Sequence, residues 1–283
     1  MKPVTPDAQP LRRAFRRPSV IASSIFLLSL VLVSLLAPVI APYDPNEIGI
    51  DFQAPPSKKH WLGTDLVGRD VFSRLLYGSR ISLMVGFLSV GLYCLIGALI
   101  GVIAAAFPRT WDRILSRLAD LVLAFPPLVL ILATVSLVGP GIGQVIWLLG
   151  LLGWPSVFRV VRGNLLALRE STMVEAARAL GASGWHIAKR HLMPSATGAI
   201  FVAFTFGVGQ AILTEAVLSF LGLGVQPPTA SWGNMLTDAQ SIAVLEQMPW
   251  LWLAPGVMIL ATVISVHIIG DALREALDPR SSA

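Results

Sequence analysis

The sequence predicts an all-α membrane protein with six transmembrane helices and both termini in the cytoplasm. Three observations carry that expectation. Only 13% of the 283 residues are charged and 55% are hydrophobic, against roughly 25% charged residues in a soluble domain, and mean hydropathy is +0.74. Six apolar runs approach the roughly 20 residues that a helix needs to cross a bilayer core. Lysine and arginine favour the cytoplasmic side, and with the N-terminus placed inside, sixteen of the 21 fall there. The exceptions, Lys58, Lys59, Arg69, Arg74 and Arg80, share one long loop. The net charge of +5 is thus a product of topology and requires no nucleic-acid partner.

Residues 1–19 form a basic cytoplasmic tail, with Arg12, Arg13, Arg16 and Arg17 ahead of the first span at 20–41. A basic segment before an apolar run also describes a secretory signal. This run is longer than a signal's apolar core and five more spans follow, so it reads as an uncleaved anchor, ended by "APYDP". Residues 42–81 form a periplasmic loop. Within it, 65–80 reads as an amphipathic helix at the outer interface, with Val71, Phe72, Leu75 and Leu76 on one side and Arg69, Arg74 and Arg80 elsewhere. Thr64 or Asp65 could cap it.

A core of five spans occupies 82–270. Span two, 82–107, has no charged residue. Its Gly86, Gly91, Gly97 and Gly101 mark a tightly packed face, within the chain or against another subunit, and the last two make a G-x-x-x-G step. Span three, 120–138, contains Pro126 and Pro127 and should kink. Span four is 144–158, extending to Val161, with Arg159 and Arg162 at its end reaching for the interface. Spans five and six are 195–213 and 250–269. Between them, the periplasmic loop 222–249 carries Asp238 and Glu246 but no lysine or arginine. Residues 271–283 close the chain as a cytoplasmic tail. The one cysteine, Cys94, lies in an apolar run and reads as a packing residue, which leaves no disulfide framework or thiolate metal site.

The stretch "EAARALGASGWHIAKRHLMP" at 175–194 is unlike its apolar surroundings. It belongs to a cytoplasmic loop, 166–194. Residues 171–180 favour a helix with Met173, Ala177 and Leu180 on one face, and Glu175 can pair with Arg178. Gly181 breaks that helix. Ser183 can cap a second one over 184–191, where Trp185, Ala188 and Leu192 form an apolar stripe. Pro194 then resets the chain before span five. Small side chains on this helical pair would let another protein's backbone approach closely. An ordinary solvated loop and a basic amphipathic helix lying on lipid are the competing readings. A DNA-binding helix–turn–helix is disfavoured, because membrane anchors on both sides would keep a duplex from docking.

Glu175-Ala176-Ala177, Gly181 and the Met193-Pro194 pair have the spacing of the EAA motif of ABC importer permeases, which this stretch resembles. The family usually has isoleucine at the position of His191 and leucine at that of Met193. Three further segments, "HWLGTDLVGRDVFSRLLYGSRISL" (60–83), "LSFLGLGVQPPTASWGNMLTDA" (218–239) and "GDALREALDPR" (270–280), resemble the dipeptide, oligopeptide and nickel branch, in its second-subunit type. The resemblance runs from about residue 20 to 280 and implies the type I ABC importer permease fold. It also implies that Glu175, Ala176, Ala177, Gly181, Ser183 and Pro194 couple the spans to an ATP-binding subunit. The implied partners are a second permease subunit, two ATP-binding subunits and an extracytoplasmic binding protein docking on the outer loops. The implied cargo is a dipeptide or oligopeptide, with nickel or a metal chelate as the alternative. The chain has no G-x-x-x-x-G-K-[ST] loop to cradle phosphates. ATP and Mg would therefore bind to partner subunits, and this chain would hold no cofactor or metal and perform no catalysis.

Two polar residues of span five, Gln210 and Glu215, are the candidates for a translocation path. Glu215 lies 21 residues beyond Pro194, about 30 Å at 1.5 Å per residue, which puts it at the outer interface, where a charge is tolerated. Gln210, about 7–8 Å deeper, faces either a neighbouring helix or a translocation path. A remote alternative comes from another class. "GASG" at 181–184 and His267 before Gly270 resemble the catalytic serine and histidine of rhomboid intramembrane proteases. The basic surroundings of Ser183 speak against that reading, and they leave His267 as a helix-end residue near the cytoplasmic headgroups.

Overall fold

A computed structural model describes residues 15–169 and 171–277, apart from the side chains of Arg169, Arg178 and His191. The expected tails at 1–14 and 278–283 lie outside the described residues, as does the expected Glu175–Arg178 pair. Described helices are α1 (Pro18–Leu35), α2 (Ala37–Ile40), α3 (Val71–Ala106), α4 (Arg109–Leu123), α5 (Pro127–Val138), α6 (Ile142–Arg169), α7 (Thr172–Ala179), α8 (Gly184–Ile187), α9 (Met193–Phe220), α10 (Trp232–Met235), α11 (Ile242–Gln247) and α12 (Pro249–Leu277). A π-helical turn, Ala188–Leu192, joins α8 to α9, and a 3₁₀ turn, Leu236–Gln240, follows α10. Five helices (α1, α3, α6, α9 and α12) are long and apolar enough to cross a membrane, and the pair α4–α5 makes a sixth if taken as one span.

The longest helix departs most from expectation. Asp70 caps α3 by accepting from the Ser73 N–H at 2.8 Å, and the helix then runs 36 residues without a break, about 54 Å. The expected interfacial helix at 65–80 is therefore the first part of a membrane helix. Val71, Leu75, Leu76 and even Arg74 are buried there, because the loop ahead of α3 folds over it instead of exposing it to headgroups. Arg74 is held by the Pro45 carbonyl at 3.0 Å and by Asp65 at 3.6 Å.

Span three kinks as the prolines require, and sharply: α4 and α5 meet at 79°. Span four is longer than expected, with α6 continuing to Arg169 through Pro155. Arg159 and Arg162 each find a carboxylate on α4. Arg159 pairs with Asp120 of α4 at 2.7 Å, and Arg162 grips both carboxylate oxygens of Asp112, which fastens α4 across the end of α6.

The glycine face of α3 is packed within the chain. A methyl added to Gly97 would stand 2.7 Å from the Val157 Cβ and one on Gly101 2.8 Å from the Val161 Cγ1, both on α6. One on Gly86 would stand 2.9 Å from Ile212 of α9, whereas Gly91 has open space. Small residues let backbones come together where no hydrophobic effect drives them, and α3 and α6 share the most extensive contact in the bundle. Cys94 is buried among these helices.

The helical ends sort into two sets. At one, Arg17 pairs with Glu275 at 2.6 Å, Gly198 lies beside Leu277, and Gly184 lies beside the Ala106 carbonyl. At the other, the 41–70 and 221–248 segments interlock, with Trp250 Nε1 donating to the Thr64 carbonyl at 3.3 Å. The last helix reaches Leu277, so the expected tail at 271–283 begins as helix.

Candidate functional site

The 171–194 element stands at the first of these ends. Its hinge is a Schellman cap. Gly181 adopts φ +83°, and the Ala182 N–H reaches back to the Ala177 carbonyl at 3.0 Å, which satisfies the last turn of α7. Ser183 caps α8, its hydroxyl accepting from the His186 N–H at 3.2 Å. The faces differ from those expected. Val174, Ile187, Ala188 and Leu192 are the buried residues, and they seat the element on the bundle. Met173, Leu180 and Trp185 are 52%, 89% and 61% exposed, an apolar ridge left uncovered among the described residues. Glu175 and Ala176 are exposed as well, and Ala177 is half-buried.

Pro194 does not reset the chain. It occupies the first turn of α9, where its missing N–H costs nothing. The turn ahead of it widens, so that the Met193 N–H bonds to the Ala188 carbonyl. Backbone angles stay helical from α8 through α9. The second half of the 171–194 element and the fifth span are one continuous rod.

Midway along the bundle lies a cavity of about 760 Å³, bounded by α3, α4, α5, α6, α9 and α12. Apolar residues such as Leu128, Ile131, Leu152 and Phe206 make most of its wall, and its polar lining residues are Tyr93, Ser156, Gln210, Thr214 and His267. No Asp, Glu, Lys or Arg lines it. Gln210 is exposed on this cavity. His267 was not among the candidates for it and is not at a helix end: ten residues of α12 follow it. Its ring sits edge-on to Phe206, centroids 5.3 Å apart, and its Nδ1 bonds the Val263 carbonyl at 2.8 Å.

Glu215 is absent from the cavity lining and is not at a tolerant interface. It is fully buried and accepts from Ser82 at 3.1 Å, Ser219 at 2.7 Å and Ser231 at 2.8 Å. Each of those hydroxyls in turn accepts a backbone N–H, from Trp232, Val225 and Asn234 respectively. One carboxyl thus gathers α3, α9 and the 221–248 segment, which folds back over it. Beside this knot a cavity of about 140 Å³ is lined by Asp65, Arg69, Arg74 and Asp238. Burial pushes the Asp238 carboxyl above its ordinary range, with the Asp65 charge adding to the shift and Arg69 and Arg74 opposing it.

The positions on which a protease would depend are not assembled. Ser183 is spent on its cap, and His267 bonds its own helix one turn back. Among the described residues no group of three or more His, Cys, Asp or Glu could hold a metal ion.

Residues 97–283 match the family described as the inner membrane component of binding-protein-dependent transport systems. The chain belongs to this family of ABC importer permeases. The first helix agrees: residues 8–56 match the N-terminal transmembrane domain of oligopeptide transport permease C. A putative peptide permease protein of Brucella suis biovar 1 is 45% identical over 277 residues, 98% of this chain and 92% of that protein. A glutathione transport system permease protein of Pectobacterium atrosepticum is 40% identical over 278 residues, 98% of this chain and 92% of that protein. A methionine ABC transporter solved in inward-facing conformations gives a TM-score of 0.58 over 72% of the permease and 96% of that chain, at 19% identity, and so supports the fold. The permease is a multi-pass inner-membrane protein, and the rhomboid reading is set aside.

Proposed function

We propose that the permease is one of two transmembrane subunits of an importer for short peptides, driven by two ATP-binding subunits and supplied by an extracytoplasmic binding protein. The observation that carries the coupling role is the uncovered ridge of Met173, Leu180 and Trp185 on an element seated on the bundle by Val174, Ile187 and Leu192. Exposed apolar side chains of this size on a helical pair suit a protein groove. The distribution of lysine and arginine puts that ridge and both termini in the cytoplasm, where ATP-binding subunits would meet it and hold the nucleotide and Mg. On this reading Glu175, Ala176, Ala177, Gly181, Ser183 and Pro194 belong to the coupling element, and closure of the ATP-binding pair tilts α9 through it. The 41–70 and 221–248 segments receive the binding protein at the other end.

The cargo is read from the relatives: those named above are peptide and glutathione permeases, and neither is a nickel transporter. The wide, mostly apolar cavity suits peptides of varied side chains, and Gln210 borders the path while Glu215 does not. The test is reconstitution of the four-subunit complex in liposomes with its binding protein. ATP-dependent uptake of labelled trialanine or glutathione, together with crosslinks from W185C to the ATP-binding subunit, is the expected result. Uptake of neither compound, or labelling of W185C only from the periplasmic side, would refute the reading.

A further inference from the structure

The cavity wall has five polar side chains, the hydroxyls of Tyr93 and Ser156 among them. The Thr214 hydroxyl donates to the Gln210 carbonyl at 2.8 Å, and the Tyr93 hydroxyl is wedged against the Cα of Gly207. Two residues on adjoining helices keep hydrogen-bonding capacity for a ligand. The Gln210 amide makes no hydrogen bond among the described residues, and it stands one helical turn from Phe206, on whose ring His267 packs. The His267 ring also lies against Gly209, where an added methyl would meet its Cε1 at 2.9 Å.

A carbonyl cannot donate, so the bond to Val263 places the ring proton on Nδ1 and leaves Nε2 of the neutral ring as an acceptor. That bond runs to the preceding turn of α12 itself and ties no second helix. The ring is oriented by its own helix, and its Nε2 has no hydrogen-bond partner among the described residues.

We infer that His267 and Gln210 form a neutral hydrogen-bonding site for a peptide group of the substrate in transit, with His267 Nε2 accepting a substrate N–H and the Gln210 amide donating to a substrate C=O. A peptide unit carries one such donor and one such acceptor, and a lining without fixed charge does not select for or against charged side chains. The inference rests on the reading that this cavity is the path.

The experiment uses the full complex in liposomes with labelled trialanine, comparing H267Q, H267N, H267L and Q210L. Glutamine can present an acceptor near the Nε2 position, whereas asparagine reaches only the Nδ1 position. H267N, H267L and Q210L should each lower kcat for uptake about tenfold, the worth of one hydrogen bond, while H267Q stays within about threefold of the parent. KM, set where the binding protein captures the peptide, and binding-protein-stimulated ATP hydrolysis should stay unchanged, as they would not if assembly failed. Parental uptake by H267N and H267L, or an equal fall in H267Q and H267N, overturns the inference. S156C separates this from failure of the path reading, since Cys94 is buried and will not compete for label. If a peptide-sized maleimide at S156C blocks uptake, the path stands and only the histidine assignment is at stake. If labelled complexes transport normally, the path falls and the inference with it.

Discussion

Replacing Glu215 with leucine should cost the purified permease about 3–5 kcal/mol. Leucine nearly keeps the volume, so the loss is one of hydrogen bonding. Ser82, Ser219 and Ser231 each deliver a proton to the carboxyl, at 3.1, 2.7 and 2.8 Å, while their oxygens are occupied by backbone N–H groups. Without the carboxyl, three buried hydroxyl protons lose their acceptor, at about 1–3 kcal/mol each. Ser82 and Ser219 lie within helices and can turn to the carbonyl one turn back, which holds the sum to its lower half. That is still a large share of the about 5–15 kcal/mol that keeps a typical protein folded. S231A removes two bonds, one to the carboxyl and one from the Asn234 N–H, and should cost about 1–3 kcal/mol. The assay is unfolding of detergent-purified protein by SDS titration, followed by circular dichroism, on the single mutants and the double mutant. A loss below about 1 kcal/mol in E215L, or strict additivity with S231A, would refute the reasoning.

Other expectations follow from the packing and the loops. G97A should destabilise by about 1–3 kcal/mol, because its methyl meets Val157 at 2.7 Å, whereas G91A should be neutral or better in the same melt. W185A should weaken co-purification of the ATP-binding subunit without changing the melting temperature of the permease, since the ring is exposed. D238N should raise stability at neutral pH. The half-buried carboxyl titrates above its ordinary value, so ionisation opposes the folded state once pH passes the unfolded pKa, and the penalty is complete above the folded one. The gain should therefore shrink as pH falls towards the ordinary carboxylate range, which a melting series across pH would register.

Span existence was legible because a bilayer demands long apolar runs, and span edges were not. The first eleven residues of α3 look polar, since Arg74 and Arg80 interrupt them, yet Arg74 is buried under a loop whose fold no window of sequence reports. Counting along the helix put Glu215 near the far end of α9 but in the wrong environment. Its burial depends on Ser82 and Ser231, 133 and 16 residues away, and on a loop that returns to cover it. His267 was misplaced because span six was ended at residue 269, whereas α12 continues to Leu277. In the docking element, the glycine hinge and serine cap are local and were readable. The buried and exposed faces were shifted by a residue or so, because the neighbours that choose them come from other spans.

The unbroken rod from Gly184 to Phe220 has a mechanical meaning. It spans about 55 Å, with the exposed Trp185 near one tip and the carboxyl of Glu215 near the other. A lever of that length turns a tilt of about ten degrees into a sweep of about 10 Å at the far tip. With no break in the helix to absorb the stroke, a push at the Trp185 tip would carry the 221–248 segment tied to Glu215 along with it.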